Sequence, residues 1–343
     1  MDRALRDWTT ARIERLAADP ARGRAGPVAL LSSRALAVEA SHRRFYRVRW
    51  QPTDGPAASA VVMSSPPELE NNDQFVVLAG VFADHGIGVP RLLASDRANG
   101  WFLMTDLGDV HFADVYQREG PDAVLPAALD TLHRLQAVQD PRIPVYTRGR
   151  FEDELEIYRE WFLSALLDVS APAALDEACD ILVAATQRQP VCCVHRDFHS
   201  RNLLRCEAPD IGVSGVGVVD FQDALMGPAT YDLASLLRDC YHRFPEPAVA
   251  RWRDAYLAAT PLPVDRAGFA RDLDLTALQR QLKAVGIFAR LHLRDHRDSH
   301  LPHIVPVLER IAALAAGYAE LHGLAAHVDA LLPATGRRLG SRA

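Results

Sequence analysis

Asp197, Asn202 and Asp220 are polar residues whose types and spacing suit phosphoryl transfer. The segment that begins at His195 reads H-x-D-x-x-x-x-N, and Asp220 follows the apolar run 213–219. In transfer from ATP, one carboxylate orients the acceptor hydroxyl and accepts its proton. An amide oxygen and a second carboxylate hold the Mg²⁺ ions that neutralise the phosphates. The spacing lets Asp197 and Asn202 face one cavity, and a strand that ends at Asp220 can complete a metal site.

A purely structural interpretation of these three residues is the alternative. An aspartate can cap a turn, an asparagine can close it, and a second aspartate can end a strand. The H-x-D-x-x-x-x-N pattern by itself arises by chance on the order of a few per cent of the time in a chain of this length. The apolar run that leads into Asp220 and Phe221 makes coincidence rarer, so the pattern favours the chemical interpretation.

The basic residues are almost all arginine. The chain of 343 residues has 38 basic and 44 acidic side chains, a net charge of −6, and a single lysine, Lys283. A Walker A loop needs a lysine directly before Ser or Thr, and Lys283 is followed by alanine. Schiff-base chemistry could use only this residue. Mixed charge without a dominant basic stripe argues against nucleic acid as the main partner.

The remaining bulk features predict a cytoplasmic protein without a membrane span. Five cysteines without framework spacing indicate free thiols in a reducing compartment. A metal site built from Cys192, Cys193, His195 and Cys206 is a minor alternative. The N-terminal residues lack the apolar core of a signal peptide. The longest apolar tract, residues 311–332, is interrupted by charged residues and reads as an amphipathic helix or helix pair.

The elements that must position these residues fall into two groups. Alternating and β-branched residues predict strands at 28–32, 45–50, 60–63, 91–94 and 101–104, with a helix from Pro66 to Asp84. After residue 110, periodic runs predict helices around 122–138, 151–167 and 173–187, short strands at 191–194 and 213–219, and further helices from 230 onward. The predicted fold class is α/β (α+β), with an N-lobe at 1–104, a hinge at 105–109 and a C-lobe at 110–343.

Four segments resemble the aminoglycoside phosphotransferase family of small-molecule kinases, and within it the anomeric sugar kinases of bacterial cell-wall recycling. These segments are 195–202, 220–224, 227–239 and 283–291. The resemblance implies a bilobal, protein-kinase-like fold with a small β-sheet N-lobe and a larger, mostly helical C-lobe. It covers most of the chain, weakly in the N-lobe and strongly from residue 191 to 294.

An activity is also implied by this resemblance. Such kinases phosphorylate N-acetylmuramate and N-acetylglucosamine at C1, using ATP and Mg²⁺ and supplying a nucleotidyltransferase with the product. Carried over by motif position, Asp197 is the base, and Asn202 and Asp220 are the Mg²⁺ ligands. His195 and Asp232 would brace the loop rather than contact the substrate.

The predicted N-lobe departs from the general kinase pattern at its phosphate site. Kinases place a lysine on the third strand against the phosphates, and this chain has Met63 near that place. The first hairpin carries Ser41, Arg43 and Arg44, which resemble the loop of the sugar kinases. Backbone amides near Ser41 and the guanidinium of Arg43 or Arg44 would contact the phosphates, because arginine binds them bidentately. The alternative is that both arginines lie on a solvated strand face.

Two further expectations concern this part of the chain. Arg47 and Arg49 are predicted to lie on the solvated face of their strand. Backbone groups of the hinge are expected to bind adenine, a placement that rests on the resemblance and on the lobe boundary. The hinge residues concerned are Met104, Thr105, Asp106 and Leu107.

The acceptor site is predicted from charge. The helix expected from about residue 273 to 293 carries Leu275, Leu278, Leu282, Val285 and Ala289 on one face and Arg280, Lys283, Arg290 and Arg294 on another. A muramyl sugar carries a lactyl carboxylate, so Lys283 and Arg290 are predicted to bind the substrate, with a solvated helix face as the alternative. His199, Gln222 and Asp223 are predicted to bind sugar hydroxyls.

Two other functions stay open at this point. A kinase of choline, homoserine or an aminoglycoside is disfavoured, because aminoglycoside sites usually need an acidic acceptor surface. A nucleotide-binding pseudokinase scaffold is suggested by the missing third-strand lysine. It is disfavoured because a scaffold has no chemical need of Asp197, Asn202 and Asp220 together.

Overall fold

The computed structural model describes residues 1–17, 28–36, 42–52, 56–206 and 215–340. The chain forms two compact units. The first comprises Met1–Val110 and Leu204–Gln222, and the second comprises His111–Leu203 and Asp223–Ala343. Leu204–Gln222 lies within the range assigned to the C-lobe from the sequence, and the predicted domain boundaries stay a prediction.

The first unit is built on a five-stranded antiparallel sheet with the order β1-β2-β3-β5-β4. Its elements are α1 (Arg3–Ala17), β1 (Val28–Leu36), β2 (Arg44–Pro52), β3 (Ala58–Ser64), α2 (Asn72–Asp84), β4 (Leu92–Asp96) and β5 (Trp101–Thr105). In β2 and β3, Val48, Ala60 and Val62 are fully buried and pack against α1 residues such as Leu5 and Ile13. The alternation of apolar and polar residues therefore identified the sheet correctly.

The predicted start of α2 is wrong. Residues 66–70 form a turn in which the amides of Leu69 and Glu70 both donate to the carbonyl of Pro66. The helix begins after Asn71, whose side chain accepts a hydrogen bond from the amide of Gln74 (3.0 Å). Asparagine is among the strongest N-cap residues, so this cap decides the start of the helix and the pair of prolines does not.

The second unit is mostly helical. Its helices are α3 (Phe112–Arg118), α4 (Leu125–Gln136), α5 (Arg148–Ile157), α6 (Ala173–Gln187), α7 (Tyr231–Leu237), α8 (Glu246–Ala259), α9 (Phe269–Leu293), α10 (Leu301–Ala315) and α11 (His322–Gly340). A π-helical segment, Tyr158–Leu167, continues α5. Two short ladders complete the structure, β6 (Val191–Val194) with β9 (Leu225–Pro228), and β7 (Leu203–Arg205) with β8 (Val216–Val218).

The long helix α9 lies at the centre of the second unit. It contacts α5, α6, α7, α10 and the π-helical segment. The five apolar residues predicted to share one face of this helix are all fully buried. At Gly286 the helix comes so near the backbone of Ile157 and Tyr158 that an added Cβ would lie 2.6 Å from their atoms. In the described part of the chain, no helix has the length and apolar character needed to cross a membrane.

Candidate active site

The loop with the H-x-D-x-x-x-x-N pattern leaves a buried strand of the second unit. β6 pairs antiparallel with β9, with Cys193 opposite Met226 and Val194 opposite Leu225. Cys193 and Val194 are fully buried, and Leu225 nearly so. Apolar burial on both strands of this ladder therefore fixes the point from which the loop starts.

The carboxylate of Asp232 binds backbone amides at the start of the loop. Its two oxygens accept hydrogen bonds from the amides of His195 (2.6 Å) and Arg196 (2.9 Å). Burial raises the pKa of Asp232 to about 7, and the two N–H donors oppose that shift. The imidazole Nδ1 of His195 accepts from the amide of Asp197 (3.2 Å). His195 and Asp232, the predicted bracing residues, thus both contact the loop backbone.

Arg196 has a backbone conformation that is rare for a residue with a Cβ. Its φ angle is 78°, in the left-handed region. Its carbonyl accepts from the guanidinium of Arg280 (2.8 Å), and its own guanidinium donates to Glu154 (2.5 Å) and lies 5.3 Å from the ring centroid of Tyr146. A left-handed residue costs about 1–2 kcal/mol and persists where its surroundings determine it. This strain falls on the residue directly before Asp197.

Asp197 is an accessible and ionised carboxylate. Its side chain is 41% exposed, and its Oδ1 lies 3.5 Å from the guanidinium of Arg280. Partial burial works to raise the pKa of Asp197, but the charges of Lys283 and Arg280 outweigh burial and hold that pKa below its ordinary range. The group can therefore hold a hydroxyl and accept its proton at neutral pH.

Asn202 closes the loop onto Asp197. Its side-chain Nδ2 donates to the carbonyl of Asp197 (3.0 Å), and its amide donates to the carbonyl of His199 (3.0 Å). Because the nitrogen of the side chain is used in this way, the oxygen Oδ1 is the atom of Asn202 that can bind a cation.

The second half of the loop is held by residues that sequence reasoning missed. Asp239 accepts from the hydroxyl of Ser200 (2.6 Å), and Ala113 donates its amide to the carbonyl of Ser200 (3.0 Å). The imidazole Nδ1 of His111 donates to the carbonyl of Arg201 (2.6 Å). Asp239 could have been found, because it ends the segment 227–239 that carries the resemblance. His111 and Ala113 had no such signal.

Two predicted sugar-binding residues belong to the second unit. The ring of His199 lies 5.2 Å from that of Tyr241, and its buried Nδ1 has no hydrogen-bond partner among the described residues. The side chain of Asp223 is exposed, and its carbonyl accepts from Arg196 (3.4 Å). Their roles stay predictions.

The alternative of a solvated face on α9 is wrong at Arg280 and Lys283. Their side chains are nearly fully buried, because α9 is packed on several sides. The ammonium group of Lys283 donates to the hydroxyl of Tyr231 (2.9 Å) and lies 3.7 Å from a carboxylate oxygen of Glu154. No sequence pattern singled out Glu154. Whether Lys283 and Arg290 bind the substrate stays a prediction, and burial, together with nearby Arg294, lowers the pKa of Arg290.

Asp220 and Gln222 belong to the first unit. Asp220 is exposed, has a φ angle of 65°, and accepts a hydrogen bond from the side-chain amide of Gln222 (2.7 Å). Between them, Phe221 is buried and stacks on Phe75 with 5.3 Å between ring centroids. Burial of Phe221 thus fixes the chain at the residue that follows Asp220.

Arg43 does not lie on a solvated strand face, so that alternative is wrong for this residue. It is 4% exposed, and its Nε lies 3.2 Å from the hydroxyl of Ser65 and 3.5 Å from a carboxylate oxygen of Glu70. Arg44 is exposed. Ser41, the third residue predicted for the phosphate loop, lies outside the described residues.

Arg47 is also not solvated, which corrects the sequence expectation. It is held by two carboxylates, with Nε 2.7 Å from Asp106 and Nη1 2.8 Å from Asp109. Arg49 is exposed as predicted. The missed signal is that Asp106 and Asp109 flank Gly108, whose carbonyl also accepts from Arg47 (2.7 Å). Arg47 therefore ties β2 to the segment predicted as the hinge.

The other predicted hinge residues end strand β5. The amide of Thr105 donates to the carbonyl of Arg91 (2.9 Å), and the Thr105 hydroxyl accepts from the Arg91 amide (2.9 Å). Met104 and Leu107 are buried. The Leu107 side chain packs closely against Gly217, where an added Cβ would lie 3.1 Å from it.

The donor types available for a cation suit Mg²⁺. The amide oxygen of Asn202 and the carboxylate of Asp220 are hard oxygen ligands, which this ion prefers. Among the described residues, no group of three or more His, Cys, Asp or Glu side chains could hold a metal ion. The cysteine–histidine site considered from the sequence is therefore not formed there, and the cysteines are free thiols.

The architecture is that of a protein-kinase-like phosphotransferase. A choline/ethanolamine kinase family protein from Mesorhizobium loti has a similar structure, with a TM-score of 0.58 at 17% identity over 94% of this chain and 99% of that chain. The predicted fold class is confirmed. The chain belongs to the phosphotransferase enzyme family APH, whose family model matches residues 33–271.

Two curated relatives are similar over most of their length. An N-acetylmuramate/N-acetylglucosamine kinase from Pseudomonas aeruginosa is 38% identical over 301 residues, 84% of this chain and 86% of that protein. A protein of the same name from Pseudomonas putida is 31% identical over 318 residues, 89% of this chain and 91% of that protein. The family predicted from the sequence motifs is confirmed.

Proposed function

We propose that the protein transfers a phosphoryl group from ATP to the C1 hydroxyl of N-acetylmuramate, N-acetylglucosamine, or both. The observation that carries this proposal is an accessible, ionised Asp197 on a braced loop, in a chain 38% identical to a relative named as a kinase of these sugars. The proposal places the enzyme in the cytoplasm, which its free cysteines support. A nucleotidyltransferase would consume the sugar 1-phosphate.

In this mechanism, Asp197 accepts a hydrogen bond from the C1 hydroxyl and takes its proton as the phosphoryl group arrives. Its lowered pKa keeps the group ionised at neutral pH, so it orients the hydroxyl before reaction. Arg280, 3.5 Å from Asp197, holds the carboxylate in place. The preorganised loop means that this alignment costs little during the reaction itself.

Asn202 and Asp220 would hold Mg²⁺ by their side-chain oxygens. When bound, this ion neutralises charge on the transferring phosphates. Arg43, buried beside Glu70, takes the role that a strand lysine paired with a glutamate has in protein kinases. Arg44 and the amides around Ser41 would complete the phosphate contacts. The backbone of Met104, Thr105, Asp106 and Leu107 would bind adenine.

The acceptor site is proposed around the catalytic loop. His199, with its unpartnered buried Nδ1, and the exposed Asp223 would bind sugar hydroxyls, together with Gln222. Arg290 would face the lactyl carboxylate of N-acetylmuramate. Lys283 is enclosed by Tyr231 and Glu154, which favours a supporting position behind Asp197 over direct contact with the sugar.

The test measures the release of ADP from Mg·ATP with one acceptor at a time. The acceptors are N-acetylmuramate, N-acetylglucosamine, choline, homoserine and kanamycin. We expect turnover with one or both sugars and a sugar 1-phosphate in the ³¹P NMR spectrum. Asp197→Asn should lower kcat by about 10²–10⁴-fold, the range for a lost acid–base group. Turnover with choline, homoserine or kanamycin alone would move the protein to another kinase class. ATP binding without turnover on any acceptor would make it a scaffold.

A further inference from the structure

The only lysine of the chain is a buried residue. Every other basic side chain except histidine is arginine, so a lysine at position 283 departs from the composition of the whole protein. Lys283 is 5% exposed, in the middle of α9. An ammonium group is a compact point charge on a flexible stem, whereas a guanidinium is a planar fork. This buried position therefore carries a compact ammonium group where the rest of the chain uses guanidinium groups.

Lys283 belongs to a buried network with Glu154 and two tyrosines. Its ammonium donates to the Tyr231 hydroxyl (2.9 Å) and lies 3.7 Å from Glu154. The hydroxyl of Tyr146 donates to Glu154 and lies 3.1 Å from that of Tyr231, and Gln279 also donates to Glu154 (3.1 Å). Both carboxylate oxygens of Glu154 and the ammonium of Lys283 therefore have partners, which a buried ion pair requires.

This network ends at the catalytic loop. Glu154 accepts from the guanidinium of Arg196 (2.5 Å), the left-handed residue directly before Asp197. The amide of Arg196 is fixed by Asp232, and its carbonyl by Arg280. The side chain, the N–H and the C=O of Arg196 are thus each held by a different partner. Its strained conformation determines the direction in which the chain enters Asp197.

We infer that Lys283 and Glu154 are positioning residues for the catalytic carboxylate. Lys283 fixes Glu154, Glu154 fixes Arg196, and Arg196 sets the position of Asp197, an inference that rests on the proposed role of Asp197 as the base. Buried ion pairs contribute little net stability compared with apolar residues of the same volume. Net stability therefore does not explain why Lys283 and Glu154 are paired at this place, whereas a role in positioning the loop does.

The first experiment compares Lys283→Met, Lys283→Arg and Glu154→Gln with the wild type. Gln281→Met is the matched control, because Gln281 is a buried polar residue of the same helix that donates to the carbonyl of Arg238 (3.2 Å), away from this network. We expect kcat to fall about 10- to 100-fold in the three network variants, as for a displacement of about 1 Å. The KM values for ATP and sugar should stay within about twofold, and the control should keep its kcat.

A double-mutant cycle separates positioning from general damage. If Lys283 acts through Asp197, Lys283→Met should cost much less in the Asp197→Asn background than in the wild type. An equal loss in both backgrounds would overturn the inference. So would a Lys283→Met or Lys283→Arg variant with wild-type kcat, or a loss in the Gln281→Met control as large as in the network variants.

A second readout needs no substrate. Because the chain has one lysine, labelling with [ε-¹³C]lysine gives a single side-chain resonance. Asp197→Asn and Glu154→Gln should both move it, whereas Asp176→Asn, on the exposed side of α6, should not. A lysine resonance whose chemical shift is unchanged by Asp197→Asn would overturn the inference. If the wild type phosphorylated no sugar, the proposed function would be wrong. The lysine resonance would still show whether Lys283 is coupled to Asp197.

Discussion

At the scale of single residues, the catalytic loop is held by side chains from distant parts of the chain. Asp197 and Asn202 have types and a spacing that the reaction itself dictates, and they lie on one loop. Glu154 and His111 act through contacts to residues more than forty positions away, so no local pattern marks them. Arg43, which is buried, and Arg47, which is paired with two carboxylates, look the same in sequence as exposed Arg49.

Arg43 carries a prediction at this scale. Arg43→Ala should raise the KM for ATP about tenfold or more, because a charge-assisted hydrogen bond to phosphate contributes about 1.5–3 kcal/mol. Arg43→Lys should recover part of this loss, since it keeps the charge and loses the fork. Arg49→Ala, exposed on strand β2, which directly follows Arg43, is the control and should keep its KM. Steady-state kinetics at varied ATP measure the effect, and an unchanged KM in Arg43→Ala would remove Arg43 from the phosphate site.

At the scale of elements, periodicity predicted which helices and strands exist and missed how they are enclosed. The apolar face of α9 was evident, but its charged face is also buried at Arg280 and Lys283. A helix contacted by α5, α6, α7 and α10 has no fully solvated side, and this depends on tertiary neighbours that no single segment encodes. The start of α2 was missed for a local reason, the stronger cap at Asn71.

Gly286 gives the prediction for this element. Gly286→Ala should destabilise the protein by about 1–3 kcal/mol, because its Cβ would lie 2.6 Å from the backbone of Ile157 and Tyr158. Gly80→Ala, inside α2 with nothing within 4 Å of the new methyl, should be neutral or stabilising by up to about 1 kcal/mol. Urea denaturation measures both. A Gly286→Ala variant as stable as Gly80→Ala would mean that α9 does not pack so closely.

At the scale of the whole molecule, the buried charge network makes the free energy of unfolding depend on pH. Burial opposes ionisation of Glu154, but Lys283 and Arg196 hold its pKa below the ordinary glutamate value. The unfolded chain therefore binds this proton more readily than the folded chain. The stability that Glu154 contributes is present above a pH of about 4.3 and is lost as the pH falls through its folded pKa.

The measurement is the free energy of unfolding as the pH is lowered from neutral until the protein unfolds. We expect it to fall for the wild type below a pH of about 4 and to fall less steeply for Glu154→Gln, which has no proton to bind there. Glu156→Gln, an exposed residue on the same helix, should follow the wild type. Parallel curves for the wild type and Glu154→Gln would show that Glu154 is not the group that couples folding to pH.

The composition of the first unit bears on the order in which the protein can fold during synthesis. This unit takes its last stretch, Leu204–Gln222, from far along the chain, and Phe221 in that stretch packs on Phe75 and Phe82. A nascent chain that has emerged only to Val110 holds the five strands of the sheet but not the ring that fills this part of its core. Domains fold as the ribosome releases them. Here the N-terminal unit cannot complete its core until residues made between the two segments of the second unit have emerged.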